Sequence, residues 1–129
     1  GAIVFGTEVH VAIEPTLDQV AIARALAGLC GQSGGTNLTP ALTRAAAMLP
    51  VSGGPMATVI FTDTYIYDCA HSVQGLRPLI ARGPVVVFGV ESSIDREFVA
   101  AIRQLSPGPR LVQYCPGDRL VDEALAVLR

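Results

Sequence analysis

Apolar and polar positions along this chain follow two alternating rhythms. "AIVFGTEVHVAI" (Ala2 to Ile13) is rich in β-branched residues around a central Gly6-Thr7 pair, which predicts two short strands in a hairpin or one bent strand. Pro15 ends that run. From Thr16 the spacing changes: Leu17, Val20, Ala21, Leu26 and Leu29 recur at helical intervals, and Thr16 with Gln19 fits a capping box, so a helix is expected here. Beyond the loop "GQSGGTNLTP" (Gly31 to Pro40), Thr39 is placed to cap a second helix. Pro40 would lie in its first turn, and Leu42, Ala45, Ala46 and Leu49 would form its buried stripe.

"SGGP" (Ser52 to Pro55) breaks the chain before "MATVIFTD" (Met56 to Asp63), a near-continuous apolar run of the kind found in strands buried on both faces of a parallel sheet. The rhythm then repeats twice. Val73, Leu76, Leu79 and Ile80 mark a helix stopped by "RGP", and "VVVFGV" (Val85 to Val90) reads as a second buried strand. Asp95 is placed to cap a helix with the stripe Phe98, Val99, Ile102 and Leu105, and "RLVQYC" (Arg110 to Cys115), shorter and more polar, suits a strand nearer an edge. A last helix is expected from about Asp118 to Leu128. Strands alternating with helices of this length imply βαβ units. The expected fold is therefore α/β and Rossmann-like, a doubly wound, mostly parallel sheet with helices on both faces, formed by residues 1–129 as a single domain.

Composition narrows the function more than the fold. Half the residues are hydrophobic and 16% are charged, enough apolar material for a buried core. The net charge of −2 offers no basic field for nucleic acid or anionic lipid, so neither is expected as a partner. All nine basic residues are arginines; without a lysine there is no Schiff-base chemistry and no P-loop lysine. The apolar runs fall well short of the roughly 18 residues that suggest a membrane span. Cys30, Cys69 and Cys115 are odd in number and widely spaced, which reads as free thiols in a reducing, cytoplasmic setting.

In a sheet of this class ligands bind outside the carboxyl ends of the strands, here Asp63 to Asp68, Glu91 to Ser93 and Cys115 to Asp118. The Gly31–Pro40 loop follows a helix rather than a strand and has no lysine beside its glycines, which argues against a phosphate cradle. It reads either as a connector between helices or as a turn that presents a hydroxyl to something bound at the top of the sheet.

"SGGTNLTPAL" followed by "VIFTDTYIYD" resembles the von Willebrand factor A (vWA) domain, and the order of elements matches from that family's second strand to its last helix. The resemblance implies a protein-protein interaction module that binds its partner through the carboxyl edge of the sheet. It also implies a divalent-cation site of the metal-ion-dependent adhesion (MIDAS) type, to which Thr36 and Asp63 correspond. Mg²⁺ demands hard oxygen ligands and keeps several waters, so a hydroxyl and a carboxylate on separate elements would supply part of its shell. The arginine-for-lysine usage suggests a GC-rich bacterial source.

The pattern departs from the family in one major respect: no aspartate begins D-x-S-x-S. The nearest stretch, "DCAHS" from Asp68, has Ala70 where a hydroxyl is required. The family's first strand, central in its sheet, has no counterpart, so the cation site is incomplete. The expectation is that this strand belongs to another segment, is donated by another chain, or has been lost with closure of the sheet around the gap. Thr64 stands where the family has a glycine after the aspartate.

A second reading, an α/β hydrolase-like enzyme, rests on "DCAH" (Asp68 to His71), where a Cys69 thiol and a His71 imidazole lie two residues apart. Against it, residues at that spacing do not readily face each other, and lone cysteines are commonly small buried hydrophobes. His10 reads as an exposed or hydrogen-bonded strand residue, and Glu91 as a supporting acid or a capping partner of Ser92 and Ser93. Tyr65 and Tyr67 are residue types enriched at contact surfaces.

Overall fold

A computed structural model describes residues 1–6, 8–28, 37–51, 56–89 and 94–112, and residues 119, 122 and 126 singly. The first twelve or so residues form the expected hairpin: β1 (Ala2–Phe5) pairs antiparallel with β2 (Val9–Ile13), Phe5 opposite Val9 and Val4 opposite His10. β2 alternates, with Val9, Val11 and Ile13 half-buried and His10 and Ala12 exposed, as a strand with one solvated face does.

Helix α1 (Gln19–Ala27) follows, but Thr16 is not its cap. The carboxylate of Asp18 accepts the N–H groups of Val20 and Ala21 at 3.0 and 3.1 Å, while the Thr16 hydroxyl accepts the N–H of Asp18 one step earlier. A carboxylate that satisfies two orphan donors, with its charge at the positive end of the helix, displaces the capping box. The expected stripe also fails at its start, since Leu17 is 98% exposed and Val20 60%. Among the described side chains of α1, Ala21, Ile22 and Ala25 are half-buried, and the helix lies against the hairpin.

Helix α2 (Leu38–Met48) begins one residue before the expected cap, with Asn37 in the extended N-cap position and Thr39 already inside the first turn. Thr39 is diverted to a tertiary bond: its hydroxyl lies 2.9 Å from that of Ser72. Leu38, Ala41 and Leu42 are buried. The hairpin is fastened to α2 at both ends, by Asn37 N–H to the Gly6 carbonyl at 2.9 Å and by the exposed Arg44–Glu14 ion pair at 3.1 Å.

The three-stranded sheet is parallel, in the order β3 (Thr58–Thr62), β4 (Val85–Gly89), β5 (Arg110–Val112). β4 is buried at every position, as its central place requires, and the short β5 lies at an edge. β3 departs from expectation: Phe61 is 45% exposed, although its ring stacks on Phe88 with centroids 5.3 Å apart. Its sequence suits burial on both faces, but among the described strands it too stands at an edge of its sheet.

One face of the sheet, carrying Ile60, Val85 and Val87, receives Leu38 and Leu42 of α2 and Phe98 and Ile102 of α5 (Arg96–Arg103), together with the segment between β3 and β4. That segment is not one regular helix. It runs as α3 (Cys69–Ser72), a 3₁₀ turn (Val73–Leu76) and α4 (Arg77–Ile80). The tightening has a local cause: Pro78 has no N–H for the Gln74 carbonyl four residues back, which instead accepts the N–H of Arg77, three residues on. The other face carries Val59, Val86, Phe88 and Val112. The described helices that pack on the sheet, α2 to α5, share the first face, and the expected last helix falls almost wholly outside the described residues. No described helix is long and apolar enough to cross a membrane.

Candidate functional site

The carboxyl end of β3 is the best-defined part of the expected binding edge. From Phe61 onward the chain keeps a period of two: Thr62, Thr64 and Ile66 are buried, whereas Phe61, Tyr65 and Tyr67 are exposed, the last two by 53% and 79%. The inward residues anchor the loop. Thr62 accepts the Thr64 N–H through its hydroxyl at 3.1 Å, and the Thr64 hydroxyl accepts the Asp95 N–H at 2.8 Å. Asp95 in turn caps α5, taking the Glu97 N–H at 3.0 Å.

This chain of bonds sustains a strained backbone. Thr64 sits at φ 74°, a region a β-branched residue rarely enters. A glycine would reach it without cost, but could not hold Asp95. Ser72 completes the support from below. Its hydroxyl donates to the Tyr67 carbonyl at 3.1 Å, which leaves Thr39 as the donor in the Thr39–Ser72 pair and ties α2 to the loop.

Asp63 lies where the sequence places it, at the end of β3 and half-exposed, and its carboxylate accepts the Tyr65 N–H at 3.0 Å. This is a turn-forming role that uses part of the oxygen set a cation would need. Thr36, the other expected ligand, lies outside the described residues, as do Glu91 to Ser93 and Cys115 to Asp118. Among the described residues no three His, Cys, Asp or Glu side chains gather to hold a metal ion. Of the expected pair only Asp63 is described, and its carboxylate is already engaged by the Tyr65 N–H.

The Cys69–His71 pair is not brought together. Cys69 is 5% exposed and faces the core, while His71, two residues along α3, is exposed to solvent. Burial pushes the thiol pKa up to about 11, with the negative charges of Asp95, Glu97 and Asp68 adding to the effect. A protonated, buried thiol is a poor nucleophile.

The Thr62–Thr64–Asp95 relay and the Thr39–Ser72–Tyr67 relay join residues distant in sequence, so no local pattern predicts them. Only the inward phase of Thr62, Thr64 and Ile66 is legible, in "FTDTYIYD", whose alternation of Thr, Thr and Ile against Phe, Asp and two Tyr sorts inward from outward positions. No family model, curated protein or solved structure matches this chain.

Proposed function

We propose that the chain is a protein-interaction module of vWA type, which recognises another protein through the loop at the carboxyl edge of β3. One observation carries this reading: Tyr65 and Tyr67 are held outward on a loop whose alternate residues are locked by buried hydroxyl bonds. Tyrosines presented on a fixed backbone supply contact area at small entropic cost, which is why they are enriched in protein interfaces. The resemblance adds a cation site, here reduced to Thr36 and Asp63. With no D-x-S-x-S and with the Asp63 carboxylate engaged by Tyr65, such a site contributes weak affinity at most, and recognition falls to the loop itself.

Selection of a displayed random-peptide library against the chain, with counter-selection on a Tyr65→Ala, Tyr67→Ala double variant, tests the reading. Peptides should emerge that bind the parent and lose at least about tenfold on the double variant, equivalent to about 1.4 kcal/mol. Peptides that bind both forms equally would place recognition elsewhere.

A further inference from the structure

Helix α5 presents two unlike faces. Phe98, Ala101 and Ile102 are buried in the core, with Leu105 just beyond the helix, and the Asp95 carboxylate caps the first turn through the Glu97 N–H at 3.0 Å. The helix is thereby fixed in place. Its outer surface carries Arg96, Val99, Ala100 and Arg103 at positions i, i+3, i+4 and i+7, which form one continuous stripe. With Ile94 these four line a shallow groove of about 320 Å³.

The stripe has charged ends and a small apolar middle. Its two arginines stand about 10 Å apart along the helix axis, and both are exposed. Ile94 and Val99 are half-buried and Ala100 is exposed, so the floor between the arginines is apolar surface left against water. Among the described residues no carboxylate pairs with Arg96 or Arg103; the ion pairs found there use Glu8 and Glu14, at the two ends of β2.

The helix's own acids do not answer these charges. Asp95 is engaged as the cap, and Glu97 lies one position off the stripe, where neighbours in sequence do not face each other. Arg96 also opens the helix, at the positive end of its dipole, where an unpaired cation is disfavoured. An anion brought from outside would offset that cost.

We propose that the outer stripe of α5 docks an acidic amphipathic helix of a partner protein, with two carboxylates seven residues apart that pair with Arg96 and Arg103 and an apolar side chain between them that fills the groove. A helix laid along α5 has the same axial rise, so carboxylates at that spacing fall in register with the arginines. The short side chains of Val99 and Ala100 let the two backbones approach, and each guanidinium fork can take a carboxylate through two N–H groups. A phosphate-rich partner would use the arginines and leave the apolar floor wet. The contact is small, which makes the association a transient one.

The test uses the full chain and a fluorescein-labelled, alanine-rich helical peptide with glutamates seven positions apart and a leucine between them; a second peptide has glutamine at both glutamate positions. Fluorescence anisotropy should show saturable binding of the first peptide that weakens as salt is raised, and binding of the second about fivefold weaker or more. The double variant Arg96→Gln, Arg103→Gln should lose the same factor at an unchanged urea midpoint, since both side chains lie on the surface. If that variant fails to fold, the peptide pair still decides. The Tyr65→Ala, Tyr67→Ala double variant should bind the peptide as the parent does, which separates this surface from the loop. No binding at millimolar peptide, equal binding of the two peptides, or equal binding to the parent and the arginine variant would overturn the proposal. Self-association in sedimentation that the arginine variant abolishes would give the stripe to a second copy and overturn it too.

Discussion

The hydroxyl of Thr64 accepts the backbone N–H of Asp95 at 2.8 Å, so the residue that turns the chain at the end of β3 also holds the residue that caps α5. Thr64→Val keeps the shape and the β-branched strain at φ 74° and deletes only the acceptor. The part-buried Asp95 N–H then lacks a partner, and the variant should lose about 1 to 3 kcal/mol in urea unfolding with an unchanged m-value. A neutral result would mean that water replaces the bond and that the loop is held by packing alone.

Cys69 gives the chain a built-in alkaline sensitivity. Its folded-state pKa is raised to about 11 from an ordinary 9.0, chiefly by burial, so between those values the unfolded chain releases a proton that the folded chain retains. The unfolded state binds fewer protons there, and stability falls as pH rises through that window and is unaffected below it. The slope of unfolding free energy against pH should flatten between about 9 and 11 in Cys69→Ala relative to the parent. At pH 7, iodoacetamide should label Cys69 in the folded chain more slowly than in urea.

The hairpin, the α/β rhythm and the full burial of Val85–Gly89 were legible in the sequence because each rests on a run of residues whose burial is set by periodicity. The helix starts were legible only where one residue competes alone. Asp95 caps as expected, but Asp18 outranks Thr16, and Thr39 is drawn away from capping by Ser72, a partner 33 positions distant that no local pattern reveals. Phe61 was misplaced for a more informative reason: its strand has the sequence of an interior strand and the position of an edge. At the site, "FTDTYIYD" located the loop, while the positive φ of Thr64 and its bond to Asp95 arise from tertiary contact.

Gly83 marks a close approach between the segment after α4 and the residues leading into β3. A Cβ there would lie 1.7 Å from the Met56 carbonyl oxygen, so the backbone must move to admit any side chain. Thr58 N–H to the Pro84 carbonyl, the first rung of the β3–β4 ladder, lies within that segment. Gly83→Ala should therefore cost about 1 to 3 kcal/mol, the usual range for forced repacking, and raise amide exchange at Thr58. Unchanged stability would show that the two segments are not in contact.

Ile60 and Phe61 are neighbours on β3 with opposite environments, which makes them an internal comparison. Ile60 faces the core at 8% exposure, and Ile60→Ala should cost about 2 to 5 kcal/mol as a cavity. Phe61 loses mainly its stacking on Phe88, so Phe61→Ala should cost less than Ile60→Ala in thermal unfolding of the chain alone. The reverse order would exchange the two faces of the strand.

Asp63 separates loop geometry from cation chemistry, because its two roles need different atoms. The bond to the Tyr65 N–H requires only an oxygen acceptor, which an amide provides; a divalent cation requires the carboxylate charge. Asp63→Asn should accordingly leave the unfolding midpoint within about 0.5 kcal/mol of the parent, whereas Asp63→Ala, which loses the turn-forming acceptor, should cost about 1 kcal/mol more. Isothermal titration with Mn²⁺ or Mg²⁺ then reads the second role. Heat seen with the parent at millimolar ion and absent with Asp63→Asn would assign the cation to this edge. No heat from the folded parent would leave Asp63 as a turn former only, and an interaction module that works without metal.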